Sequence, residues 1–97
     1  MPAMLERLRS DRETIISIAR KYGANNVRVF GSVVRQEDTD CSDIDLLVNF
    51  DEDRSLFDLI GLKLEMEEYT GKIIDIVTEK ALHRLIADRV LEEAVRL

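Results

Sequence analysis

The chain has 97 residues, 45% of them hydrophobic and 35% charged, with 14 basic and 20 acidic side chains giving a net charge of −6. Such a composition excludes a disordered chain and predicts a single domain, residues 1–97, with one small core. The acid excess argues against a broad nucleic-acid partner, no apolar run reaches the length of a membrane span, and the first ten residues lack the apolar stretch of a signal peptide, so a cytoplasmic protein is expected.

Residues Met4 to Tyr22 read as an amphipathic helix carrying Leu5, Leu8, Ile15, Ile16 and Ala19 near helical spacing, closed by Gly23. Ser10 and Glu13 have capping-box spacing and offer an alternative start for it. Val27 to Phe30 is a short β-branched strand, and Gly31 begins a turn from which Ser32 to Gln36 can form a short helix. A polar loop, Glu37 to Ser42, leads to Asp43 to Phe50, a strand with Ile44, Leu46 and Val48 on one face and Asp43, Asp45 and Leu47 on the other. Ser55 caps a helix over Leu56 to Tyr69 that ends at Thr70-Gly71. Lys72 to Thr78 is a third strand, and Leu82 to Leu97 a final helix with Leu82, Leu85, Ile86, Val90, Leu91 and Val95 apolar. The order predicts an α/β domain with a small sheet and flanking helices.

Two residues apart on a strand, Asp43 and Asp45 project together at about 7 Å. Adjacent carboxylates repel unless a cation joins them, and such a pair can hold Mg²⁺ against the phosphates of a nucleotide. Asp75 is a lone charge in an apolar strand, where burial is costly unless the carboxylate is paired or binds metal. If the third strand lies beside the second, three carboxylates come together, enough for two Mg²⁺ ions about 4 Å apart. Asp75 is then the natural general base for an acceptor hydroxyl. Gly31 lets backbone approach a phosphate, Ser32 can donate from its N–H and hydroxyl, and Arg35 lies one helical turn on, within reach of a phosphate oxygen.

The pattern Gly31-Ser32, ten intervening residues, then Asp43-Ile44-Asp45, with Asp75 in a later strand, resembles the DNA polymerase β-like nucleotidyltransferase superfamily. Within it the chain is similar to the minimal nucleotidyltransferases, antitoxin-type proteins often paired with HEPN-domain toxins. The resemblance implies a mixed sheet flanked by helices, Mg²⁺ and ATP as cosubstrates, and AMP transfer to a hydroxyl. In the paired systems the implied acceptor is a tyrosine of the HEPN ribonuclease, which the transfer silences. It places Asp43, Asp45 and Asp75 at the metal positions, Gly31 and Ser32 at the phosphate turn, and Arg35 in support. Larger members carry a second, helical domain that completes the cleft. No such domain is expected here, so the missing wall falls to a second protein chain.

Two other functions fit the same residues less well: a non-catalytic antitoxin that covers its toxin's active site, and an enzyme that modifies a small molecule. The first has no need of three carboxylates, and the second lacks its second domain. Other residues read as structural. Arg35 has the alternative of a surface ion pair with Glu37 or Asp38. Cys41 is a loop thiol without a base or metal partner, His83 a surface or capping residue, and Tyr22 and Tyr69 packing residues at helix ends. One histidine and one cysteine give neither a Ser-His-Asp triad nor a zinc site, and no Gly-x-x-x-x-Gly-Lys phosphate loop is present. Part of the last helix's apolar face is available for an oligomer interface.

Overall fold

The computed structural model describes residues 4–35, 43–82 and 84–97, with residues 84–87 as backbone alone. Helices α1 (Met4–Ser10) and α2 (Arg12–Lys21) lead to strand β1 (Ala24–Phe30), the single turn α3 (Ser32–Arg35) and strand β2 (Ile44–Phe50). Helix α4 (Leu56–Thr70), strand β3 (Ile74–Thr78), a 3-10 turn (Glu79–Ala81), helix α5 (Arg84–Glu93) and strand β4 (Val95–Arg96) follow. Gln36, the Glu37–Ser42 loop with Cys41, and His83 lie outside the described residues. The strands form one sheet in the order β3-β2-β1-β4, parallel between β2 and β3 and antiparallel elsewhere. This is the mixed α/β architecture expected. No described helix is long and apolar enough to cross a membrane.

Period-two alternation sorts the sheet's faces. Ile44, Leu46 and Val48 of β2, Val27 and Val29 of β1, and Ile74 of β3 are buried in one core with Leu8, Ile15, Ile18 and Ala19 of the first two helices and Leu62 and Met66 of α4. Leu47 points to the other face and is fully sealed as well. That face is crossed by the segment running from β3, at one edge of the sheet, to β4, at the other.

The α4 boundaries follow from local chemistry. Ser55 Oγ accepts from Phe57 N–H at 3.3 Å, and the Asp58 carboxylate accepts from Ser55 N–H at 3.0 Å, a complete capping box. Gly71, at φ +72°, supplies the left-handed residue that ends the helix.

Three expectations are corrected. The helix predicted over Met4 to Tyr22 is interrupted at Asp11, although Asp11 N–H bonds Arg7 O and Ile15 N–H bonds Asp11 O, both at 3.0 Å. The Ser10–Glu13 capping box does not form, because Asp11 takes the cap position and makes no side-chain cap bond. Strand β1 begins at Ala24, three residues earlier than predicted, because an irregularity between Asn25 and Arg28 lets a polar stretch pair with β2. Asn26 carries it at φ +51°, a conformation that asparagine tolerates better than most residues.

The largest departure is at the end of the chain. Helix α5 stops at Glu93, and Val95–Arg96 pair with Val29 and Arg28. Leu97 N–H then donates to Val27 O at 3.2 Å. Apolar spacing alone continues the helix through Val95, but β1 otherwise presents an open edge whose backbone groups need partners. In the strand, Val95 and Leu97 fall on the core face beside Val29 and Val27, and Leu97 is only 9% exposed. The interface expected from the last helix therefore loses Val95 to the sheet.

Leu97→Ala should lower the unfolding free energy in urea by about 1–3 kcal/mol, the range for an imperfectly enclosed leucine. Leu91→Ala, at a position 42% exposed, should change it by no more than about 0.5 kcal/mol. Equal losses would place the two side chains on one helix face and contradict the terminal strand.

Candidate active site

The end of β1 and the beginnings of β2 and β3 meet at one end of the sheet. Asp45 is paired across β1 with Phe30, the residue before Gly31, and lies beside Asp75 in the parallel register with β3. Asp43 immediately precedes β2, whose first N–H, from Ile44, bonds Ile73 O at 2.9 Å. The sheet thus brings Asp43, Asp45, Asp75 and the Gly31–Ser32 turn to one place.

Gly31 is needed there twice over. Its φ of +79° is unfavourable for an L side chain, and a Cβ at that position would run into Asp45 Oδ2. The α3 turn then folds back through Val34 N–H and Arg35 N–H, which bond Gly31 O at 3.1 and 3.2 Å. Ser32 begins that turn and Arg35 ends it.

Asp45 is half-buried, and its carboxyl is pushed up to about 6, first by burial and then by the negative charges of Asp75 and Asp43. A hydrogen bond with the Asp75 side chain adds to the rise, while the positive charge of Arg35 opposes it. One expectation shifts here. Asp75 is exposed on the edge strand, so the cost of burying a carboxylate falls on Asp45 of the inner strand instead. Among the described residues no three Asp, Glu, His or Cys side chains already stand at metal-holding spacing. The donor set nevertheless suits Mg²⁺: hard oxygens whose mutual repulsion a divalent ion would relieve.

Arg35 pairs with an unforeseen partner. Its Nη1 donates to Glu93 Oε1 at 2.5 Å, and Glu93 Oε2 accepts from Gly31 N–H at 3.3 Å. Glu93 ends α5, so the crossing segment closes onto the turn after β1. Nothing in the sequence marked Glu93, because its nearness to Gly31 depends on the crossover and on β4. At the other end of the segment Glu79 does similar work. Arg28, with a side chain only 12% exposed, donates to Glu79 Oε1 at 2.6 Å and to Asn49 Oδ1 at 2.9 Å, and Asn49 Nδ2 donates to Glu79 Oε2 at 3.2 Å.

Two outcomes follow from this geometry. Because Asp45 binds its proton more tightly in the folded state, it lowers stability as pH rises from about 4 to 6, and the effect is constant above that. Measured without divalent ions, Asp45→Asn should match wild type near pH 4 and exceed it by about 1–3 kcal/mol above pH 7. A difference that does not change with pH would contradict the crowding at Asp45. Gly31→Ala should destabilise the protein by about 2 kcal/mol or more in a thermal melt, combining strain at φ with displacement of Asp45.

Residues 13–97 match the family model described as polymerase beta, nucleotidyltransferase. The chain is 46% identical over 84 residues to a Methanocaldococcus jannaschii protein provisionally named protein adenylyltransferase MJ0435, covering 87% of this chain and 90% of that one. It is 38% identical over 78 residues to protein adenylyltransferase MntA of Thermococcus cleftensis, covering 80% and 79%. A solved structure provisionally described as a minimal nucleotidyltransferase superposes with a TM-score of 0.86 at 47% identity, covering 96% of this chain and 95% of that one. A toxin–antitoxin structure with AMP-PNP shares the fold at a TM-score of 0.75 and 17% identity, covering 89% and 71%. On the match of residues 13–97 and the 46% identity to a relative covered over nine-tenths of its length, the chain belongs to the polymerase beta nucleotidyltransferase family.

Proposed function

We propose that the protein transfers AMP from ATP to a hydroxyl of a partner protein, a tyrosine of a HEPN-type toxin, and so acts as its antitoxin. The observation that carries this reading is the contact between the Asp45 and Asp75 carboxylates, one strand away from a glycine turn that only a residue without a side chain can make. The name protein adenylyltransferase borne by its relatives supports the same reaction.

Asp43, Asp45 and Asp75 would hold Mg²⁺, which when bound neutralises the carboxylates and the triphosphate and polarises the phosphoryl group. The Gly31–Ser32 turn and Arg35 orient the phosphates by backbone N–H, hydroxyl and guanidinium donors. Asp75, exposed at the sheet edge, is open to the acceptor and takes the proton of its hydroxyl. The acceptor oxygen attacks the α-phosphorus in line, the bond from that phosphorus to the α–β bridging oxygen breaks, and pyrophosphate leaves.

Intact mass spectrometry of the toxin partner, after incubation with this protein, ATP and Mg²⁺, should record an AMP-sized increment that vanishes with Asp43→Asn. Removing the carboxylate should lower transfer by at least about a hundredfold, in keeping with loss of a group acting only on the transition state. A stable complex that gains no mass would leave neutralisation by binding as the function.

A further inference from the structure

Far from the aspartates, α2 and the β1–β4 edge enclose a cleft of about 520 Å³ lined by Arg12, Ile16, Arg20, Asn25, Asn26 and Arg96. Its floor is apolar, formed by Ala24, Val27 and Leu97, each no more than 9% exposed. The cleft is lined by β1 residues from Ala24 to Val27, so it lies about 13–23 Å along the strand from the Gly31 turn. Arg12, Ile16 and Arg20 are four residues apart and share one face of α2, with the two arginines about 12 Å apart. Arg96 comes from β4 on the opposite wall.

Arg12, Arg20 and Arg96 belong, with Arg7, Arg9, Lys80 and Arg89, to the cations without an ion pair among the described residues, and they are the ones that line this cleft. Lys21, Arg28, Arg35, Arg54 and Lys63 all make ion pairs with carboxylates. Arg12, Arg20 and Arg96 are exposed and make none with any described residue. In a chain with 20 acidic side chains, three arginines lining one cleft form a locally basic site. Asp51 is engaged by the cleft residue Asn25, whose Nδ2 donates to it at 3.3 Å.

We propose that this cleft docks a short acidic segment of a protein partner, its carboxylates on Arg12, Arg20 and Arg96 and an apolar side chain over Ile16 and Leu97. The proposal rests on the reading above that the acceptor is a protein, and it supplies a docking point remote from the reacting groups. Charge complementarity selects an anion, and guanidinium forks match carboxylates in particular. Length and floor select the segment: about 12 Å accommodates three or four residues of extended chain, and the apolar floor rewards a side chain between the charges. A nucleic acid fits less well, because no aromatic side chain lines the cleft for base stacking and the overall charge of −6 repels a long polyanion.

The test is fluorescence anisotropy on the full chain with three labelled probes: an octapeptide of alternating Glu and Leu, its Gln-for-Glu counterpart, and an eight-residue oligouridylate. The Glu peptide should bind best. The exposed double variant Arg12→Glu/Arg20→Glu should weaken it at least tenfold while keeping the wild-type melting temperature and ATP affinity. Equal binding by the double variant, no binding of the Glu peptide, or tighter binding of the oligouridylate would each overturn the proposal. With the toxin as acceptor, the same variant should raise KM for the protein and leave KM for ATP unchanged. Absence of any AMP transfer by wild type would instead overturn the proposed reaction, and the peptide titration would still decide the cleft.

Discussion

The contact between Asp45 and Asp75 works against folding, and the opposite face of the sheet enforces it. Ile44, Leu46 and Val48 alternate with Asp45 and Leu47 along β2, and Ile74 precedes Asp75 on β3. A one-residue slip of β3 against β2 would separate the carboxylates, but it would also turn Ile74 out of the core. Each buried aliphatic side chain contributes about 1.5–3 kcal/mol, so the four together outweigh the cost of the raised Asp45 carboxyl, which solvent screening holds below about 3 kcal/mol. Hydrophobic burial on one face therefore sets the spacing of charge on the other.

This arrangement explains why the centre of the molecule was legible in the sequence and its rim was not. The β2 pattern of apolar and acidic positions could be read residue by residue, because period-two alternation and the fate of each side chain are the same information. The ends of α4 were equally plain, since Ser55, Asp58 and Gly71 act on backbone groups one turn away. Strand β4 has no comparable local signal. Its two residues continue a helical apolar spacing, and only the open edge of β1, distant in sequence, makes the extended form better. The exposure of Asp75 was hidden for the same reason: nothing local distinguishes an edge strand from an inner one.

The crossover from β3 to β4 links those illegible parts to the site. Its path from one edge of the sheet to the other puts Glu79 against Arg28 and Asn49, and Glu93 against Gly31 and Arg35. A reading limited to neighbours in sequence pairs Arg35 with Glu37 or Asp38, two and three residues on and outside the described residues. Glu93, which ends α5 just before β4, is a partner that only the folded crossover supplies.

The same pair also bears on what the turn can bind. Gly31 and Arg35 belong to the turn expected to meet phosphate, and in this structure Gly31 N–H and the Arg35 guanidinium donate to the two oxygens of one carboxylate. A carboxylate bridging a backbone N–H and a guanidinium makes the contacts that a phosphoryl group would make, with fewer oxygens and less charge. If the turn after β1 holds phosphate, as proposed, it does so one strand from three carboxylates that repel anions. A cation between them, as proposed above, would reconcile the donors at Gly31 with the acids at Asp43, Asp45 and Asp75, each half offsetting the charge of the other.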